Sequence, residues 1–385
     1  MSIPGIQLEP AQLPPVCEAL RAQVRAFIAD ELAAGRFTPA CDNWLGGFDP
    51  DFSRRLAARG WLGMTLPREY GGHGRTALER YVVNEELLAV GAPVAAHWVG
   101  DRQTGPSLLR YGTEEQKRYF LPKLVAAEVF FAIGMSEPGS GSDLASVRTR
   151  GERVDGGWEL TGTKLWTSNA HRADWFFVLC RTEPLGEDRH AGLSQFIVDL
   201  KSPGISIRPV PILTGAHHFN EVVMERVFVP DSRVLGQIGQ GWHQVTSELA
   251  FERSGPERFM STFPVLQEFL RVIGTDPDPH TAQAIGELAA ELWSLRRMSL
   301  SVAAALQRGE APDVAAALVK DLGTRFESEV FERVRLLVET APSLHARRRL
   351  DQLLAQAILH SPGFTLRGGT NEILRGVVAR ALGLR

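Results

Sequence analysis

The sequence predicts a multidomain α and β fold in three parts: an N-terminal helical domain (1–130), a middle β domain (131–236) and a C-terminal helical bundle (237–385). Three observations predict it. The chain has 385 residues, more than one compact core usually holds. Its first and last thirds place apolar residues at helical spacing. Its middle third replaces that spacing with short β-rich runs separated by glycine-containing turns.

In the first part, Leu20, Val24, Phe27 and Ile28 recur on one face between Cys17 and Leu32. Gly71-Gly72-His73-Gly74 reads as a loop. Thr113-Glu114-Glu115-Gln116 has capping-box form, in which Thr113 accepts the third backbone N–H and Gln116 reaches back. Phe120, Leu121 and Leu124 follow on one face. In the second part, the run from Trp175 to Leu179 predicts a buried strand, and the runs at 196–198 and 227–229 predict others. Asp155-Gly156-Gly157 and Ser202-Pro203-Gly204 are the turns. In the third part, Ile285, Leu288, Leu292 and Leu295 form one stripe, and Ile373, Leu374, Val377, Val378 and Leu382 another. A bundle buries both. Residues 274–280 form a polar, proline-containing loop.

Composition narrows the function classes. Hydrophobic residues are 44%, charged residues 23% and the formal net charge is -3, which gives no basic excess for nucleic acid or an anionic membrane. No window approaches eighteen uninterrupted apolar residues, so no membrane span is expected. Met1-Ser2-Ile3-Pro4-Gly5 lacks the pattern of a signal peptide, and a cytoplasmic location is expected. Cys17, Cys41 and Cys180 match no metal spacing and are expected to be reduced, buried thiols.

Two segments carry chemistry. Gly134-Met135-Ser136-Glu137-Pro138-Gly139-Ser140-Gly141-Ser142-Asp143 is a loop of small residues whose backbone N–H groups can approach a ligand closely. Taken alone it reads first as a plain turn. Leu160-Thr161-Gly162-Thr163-Lys164-Leu165-Trp166-Thr167-Ser168-Asn169 is a strand ending in a large aromatic and hydroxyls. Trp166 is either a core residue or a platform for a flat cofactor.

Together the two segments resemble the acyl-CoA dehydrogenase family. Its members carry a Thr/Ser-Glu-Pro-x-x-Gly-Ser-Asp loop followed by a Leu-x-Gly-x-Lys-x-Trp-x-Thr/Ser-Asn strand. Gly60-Trp61-Leu62-Gly63 with Pro67, Glu69, Tyr70, Gly71, Gly72 and Gly74, then the segment from Tyr111 to Lys117, and Gly369-Thr370-Asn371-Glu372-Ile373 are similar to the family's flanking signatures. The resemblance spans nearly the whole chain. It implies N-terminal helices, a middle β domain and a C-terminal four-helix bundle, with FAD between the β domain and the bundle. Carried over, Met135, Ser136, Gly141 and Ser142 line the flavin and thioester. Trp166 packs on the isoalloxazine, with Thr167 beside it and the Ser168 hydroxyl near N5. Thr370 and Glu372 reach the FAD of the assembled protein. Ser142, Arg253, Gly368 and Gly369 face the substrate.

The implied reaction is α,β-dehydrogenation of an acyl-CoA thioester: a carboxylate takes the α-proton while the β-hydrogen leaves as hydride to flavin N5. A glutamate in a dry pocket has its pKa raised toward working pH, which suits it to be the base. Many family members place it in Tyr-Glu-Gly-Thr, but here the stretch is Arg367-Gly368-Gly369-Thr370. The isovaleryl-CoA and long-chain acyl-CoA dehydrogenases keep it earlier, in a Glu-Arg pair, and Glu252-Arg253 stands at the matching place. Glu252 is therefore the expected base, against the plain reading of a solvated helix residue. In a protein lacking Glu252, a glutamate added at 368 is expected to restore some activity. Pro256, just beyond, is expected to kink the helix.

Two elements of the family are missing. Residues 271–283 contain no Arg-x-x-Phe-Gly, and residues 336–359 contain no Gly-Gly-x-Gly-Tyr. Both serve the FAD pyrophosphate and adenosine across a subunit interface. A homodimer or homotetramer is expected, with electron-transfer flavoprotein as electron acceptor. The alternatives are a non-catalytic or half-site subunit of a heteromeric dehydrogenase, or a flavin monooxygenase on the same fold.

Overall fold

Along the chain, a helical segment, a β segment and a second helical segment follow one another. The computed structural model describes residues 8–384; in the helix at 241–253 the side chains of residues 248–252 lie outside the described set. The first segment holds α1 (Pro15–Ala33), α2 (Asn43–Gly46), α3 (Pro50–Ala58), α4 (Ala77–Ala89), α5 (Ala95–Val99), α6 (Gly105–Tyr111) and α7 (Glu114–Val125). The capping box of α7 forms as the sequence predicts, with Gln116 N donating to Thr113 Oγ1 at 3.2 Å and Thr113 N to Gln116 Oε1 at 3.1 Å. A π-helical turn, Gly100–Thr104, joins α5 to α6. No sequence pattern announces it.

The β segment comprises β1 (Phe131–Gly134), β2 (Arg150–Val154), β3 (Gly157–Ser168), β4 (Trp175–Arg181), β5 (Leu193–Asp199), β6 (Ile205–Val210), β7 (Phe219–Pro230) and β8 (Val234–Leu235). They form one sheet ordered β6-β7-β3-β2-β4-β5-β8, with β1 parallel to β4. Its core is aromatic and β-branched, with Phe176, Val178, Phe196 and Val222 each wholly buried. These residues favour a pleated, packed surface.

The last segment holds α8 (Gly241–Arg253), α9 (Phe263–Ile273), α10 (Pro279–Gln307), α11 (Asp313–Leu337), α12 (Arg349–Phe364) and α13 (Asn371–Ala381). Helix α11 packs against α9, α10, α12 and α13. Its inward face carries Val319, Phe326, Val330, Phe331 and Val334. The stripe expected on α13 is buried only in part: Leu374 is wholly buried, whereas Ile373 is 42% exposed.

Two compact units divide the chain. One comprises Met1–Gly47, Thr76–Pro93 and Ala250–Arg385; the other comprises Phe48–Arg75 and Val94–Leu249. In the first, Cys17, Leu78, Tyr81, Val82 and Leu300 share a core, so α1, α4 and α10 pack together. In the second, Leu108, Phe120, Leu124, Phe131 and Phe177 join the helices to one face of the sheet. All three cysteines are buried and free. No described helix is long and apolar enough to cross a membrane.

Candidate functional site

The predicted site residues fall into two groups, one in each unit. In the unit with the sheet, β1 ends at Gly134, where a Cβ would strike the Phe176 ring, and the chain leaves as the 135–143 loop. Glu137 N donates to Ser140 O at 2.7 Å and Ser140 N returns to Glu137 O at 3.1 Å, which closes the loop on itself. The Glu137 carboxylate points inward and accepts from Arg148 N at 2.7 Å, Thr149 N at 2.9 Å and Lys164 Nζ at 2.8 Å. Burial opposes ionisation of Glu137, but the Lys164 charge and these donors outweigh it and hold the carboxyl below its usual range. Lys164 is wholly buried, which lowers its own pKa; the three donors to Glu137 and the Met135 carbonyl acceptor favour the ionised pair. Leu165 N also donates to Ser136 O at 2.9 Å. The loop is thereby sewn to β3.

Beyond Lys164 the pairing of β3 with β7 slips, resuming at Thr167. Within that slip Trp166 takes φ 60°, left-handed backbone that a bulky residue rarely adopts, and its side chain is 53% exposed. The core alternative for this tryptophan is overturned. The Phe219 ring meets it in an edge-to-face arrangement, at 5.6 Å between centroids. A bulky residue held exposed in strained backbone points to a surface built for a partner ring. Ser168 beside it is half-buried, and Ser136 and Met135 are half-buried on their loop. Gly141 and Ser142 are exposed, and a Cβ at Gly139 or Gly141 would meet nothing within 4 Å. This face fits a flat aromatic cofactor. Thr167, expected beside it, is wholly buried, and its carbonyl accepts from Asn220 Nδ2 at 2.9 Å.

The second group lies in the helical unit. Gly368 and Gly369 form a turn with φ 68° and 86°. Arg253, at the end of α8, donates from Nε to Gly368 O at 3.3 Å. Thr370 caps α13, and Glu372 is exposed in its first turn. Glu252 lies in α8, but its side chain is outside the described residues. Pro256 does not kink the helix as expected. Helix α8 ends at Arg253, and Pro256 opens a separate 3-10 turn, Pro256–Arg258, because proline cannot continue the hydrogen-bond ladder.

Sequence reasoning missed what surrounds this turn. Glu257-Arg258 is a second Glu-Arg pair five residues after the first, and both are buried to 1% exposure. Lys320 Nζ holds Thr365 O at 3.2 Å and Asn371 Oδ1 at 2.8 Å. Arg367 reaches the Asp42 carboxylate, Ser261 Oγ at 2.9 Å and Glu327 Oε2 at 3.4 Å. Burial, against the pull of Arg367 and Ser261, pushes Glu327 up to about 7, and burial brings Lys320 down to about 7. The signal in the sequence was the repeated Glu-Arg; the other partners come from distant positions.

Comparison with known proteins identifies the family. The family models for the N-terminal, middle and C-terminal domains of acyl-CoA dehydrogenase match residues 15–128, 132–227 and 239–383. The chain is 34% identical over 384 residues to acyl-CoA dehydrogenase IpdE1 of Mycobacterium tuberculosis, covering 95% of this chain and 97% of that protein. Among solved structures, the ChsE4-ChsE5 complex from Mycobacterium tuberculosis superposes with a TM-score of 0.85 at 28% identity, covering 98% of this chain and 99% of that one. The Tcur3481-Tcur3483 steroid ACAD gives 0.82 at 29% identity, covering 97% and 98%. The chain belongs to the acyl-CoA dehydrogenase family, oxidoreductases that carry FAD.

Proposed function

We propose that this protein dehydrogenates an acyl-CoA thioester between Cα and Cβ, with Glu252 as the base that takes the α-proton. The observation that carries the reading is the Arg253–Gly368 hydrogen bond. It ties the helix end bearing Glu252 to the turn where other members of the family place their base and where this chain has glycine. Bound FAD supplies the two-electron acceptor for the β-hydrogen. The protein's residues do the rest. Trp166 and Ser168, with Met135, Ser136, Gly141 and Ser142, orient the ring; Ser142, Arg253, Gly368 and Gly369 contact the thioester; Thr370 and Glu372 reach the cofactor in the assembled protein. Domain limits at 130 and 236 go with this reading.

The substrate we infer is a bulky, steroid-derived acyl group, by analogy with the steroid ACAD among the structural relatives. Electron-transfer flavoprotein is the proposed acceptor. The test of the base is Glu252→Gln. Substrate-driven flavin reduction is expected to fall by about 10²–10⁴-fold with FAD content unchanged. Full activity would transfer the role to another acid, with the buried Glu257 next in line. Rapid peroxide formation during turnover would instead favour the monooxygenase.

A second reading, a subunit of a heteromeric dehydrogenase, rests on the two missing anchor segments and on two structural relatives whose names pair two proteins.

A further inference from the structure

Gly368 has no side chain, and the space where one would begin is taken. A Cβ built there would lie 2.9 Å from Arg258 Nη2, 3.0 Å from its Cζ and 3.1 Å from its Nη1. Arg258 is 1% exposed. Its backbone is pinned, because a Cβ on Gly323 of α11 would strike the Arg258 carbonyl. Its guanidinium lies 5.4 Å from the centre of the Trp44 ring, and its Nε is 3.5 Å from Glu257 Oε1. The guanidinium thus faces the bare turn from a packed socket. Among the described residues, Arg253 Nη2 lies 3.3 Å from a Cβ on Gly369, and the charges of Arg258, Arg367, Glu327 and Asp321 all act on Lys320.

We propose that Arg258 withdraws position 368 from proton-transfer chemistry, by capturing any acid placed there as a buried ion pair. This deepens the proposed function and rests on it, since it gives a reason why the base is carried by α8. It also reverses the expectation that a glutamate at 368 could replace Glu252. A glutamate at 368 would put its Cβ about 3 Å from a guanidinium that has little room to retreat, and its carboxylate, beyond Cγ, within reach of the same N–H groups. It would be held ionised and hydrogen-bonded, and a carboxylate so stabilised is a weak base. The left-handed turn adds strain to any side chain at this position.

The experiment uses the FAD-loaded, full-length protein. Gly368→Glu is made alone and with Arg258→Gln, and the carboxyl introduced at position 368 is titrated by isotope-edited infrared spectroscopy. With Arg258 present, it is expected to ionise about 1–3 pH units lower than in the double variant. In the Glu252→Gln background, Gly368→Glu is expected to leave flavin reduction within about twofold of Glu252→Gln alone, and adding Arg258→Gln to raise it about tenfold or more. Equal titration of the introduced carboxyl with and without Arg258 overturns the proposal, as does recovery of activity by Gly368→Glu with Arg258 in place. If Arg258→Gln does not fold, the Gly368→Glu titration decides: a carboxyl at or above about 4.3 overturns the proposal and a lower one supports it. Should Glu252→Gln prove fully active, the base assignment fails, while the titration still decides the role of Arg258.

Discussion

Lys164 Nζ sits 2.8 Å from Glu137 Oε1, and the side chains are 0% and 7% exposed. The pair joins the serine- and glycine-rich loop to the strand that presents Trp166, and with the Leu165–Ser136 backbone bond it fixes the proposed cofactor face. Removing one partner strands the other charge. Lys164→Met is expected to destabilise the protein by roughly 3–5 kcal/mol and to release FAD. Lys164→Met with Glu137→Gln should recover part of that loss, because no uncompensated charge remains. Denaturant unfolding of the single and double variants measures the coupling.

Trp166 occupies left-handed backbone that costs a bulky residue roughly 1–2 kcal/mol, and its exposed ring gains little from its own chain. Trp166→Gly is therefore expected to leave the FAD-free protein at least as stable as the native one. The relief of strain exceeds or matches the entropic cost of glycine, about 0.5–1 kcal/mol. FAD binding should weaken about threefold to tenfold, the value of one aromatic stacking contact. Melting of the apoprotein and a flavin titration measure the two effects. A large loss of apoprotein stability would assign Trp166 a packing role instead.

The sequence makes the order of helical and β segments legible because both hydrophobic periods are local. Leu20, Val24, Phe27 and Ile28 needed only their spacing, and the Thr113–Gln116 cap only four residues. The cofactor face was legible as motif but not as geometry: nothing in Leu165-Trp166-Thr167 announces a slip in register that turns the indole outward and Thr167 inward. The charged surroundings of Gly368 were illegible for another reason. Arg258, Lys320 and Glu327 belong to types that are almost always exposed, so a one-dimensional reading leaves them in solvent. Their burial depends on partners remote in sequence, such as Trp44 for Arg258 and Asn371 for Lys320.

Glu327 and Lys320 make opposite contributions to stability with pH. Burial raises Glu327 from 4.5 to about 7, so between those values the folded state holds a proton that the unfolded state has lost. Stability falls as pH rises through that window. Burial lowers Lys320 from 10.5 to about 7, so above about 7 the unfolded state holds the extra proton and stability climbs. Their joint contribution has its minimum near pH 7. Glu327→Gln keeps an acceptor for Ser261 N and removes the falling limb; Lys320→Met removes the rising one. Unfolding midpoints measured from pH 4.5 to 10 check both slopes. A Glu327→Gln protein with the native slope below pH 7 would mean that Arg367 keeps Glu327 ionised.

In the helical unit Leu336 is 79% exposed, Leu366 60% and Ile373 42%, an apolar exposure that a subunit contact would cover. The chain also lacks the Arg-x-x-Phe-Gly and Gly-Gly-x-Gly-Tyr segments that a neighbour in this family offers to the cofactor. A homo-oligomer would then lack those contacts in every site, whereas a partner carrying them would restore them in the sites it shares. Leu336→Asp is expected to dissociate the assembly and reduce FAD content while shifting the unfolding free energy of the isolated chain by no more than about 0.5 kcal/mol. Sedimentation with a flavin count separates the two assemblies. One FAD per chain in a stable homo-oligomer that turns over acyl-CoA rules out an obligate heteromer. A chain that stays flavin-free alone and gains FAD only on co-expression with a second dehydrogenase subunit establishes it, and the Leu336→Asp effect on flavin content should then appear only in the co-expressed protein.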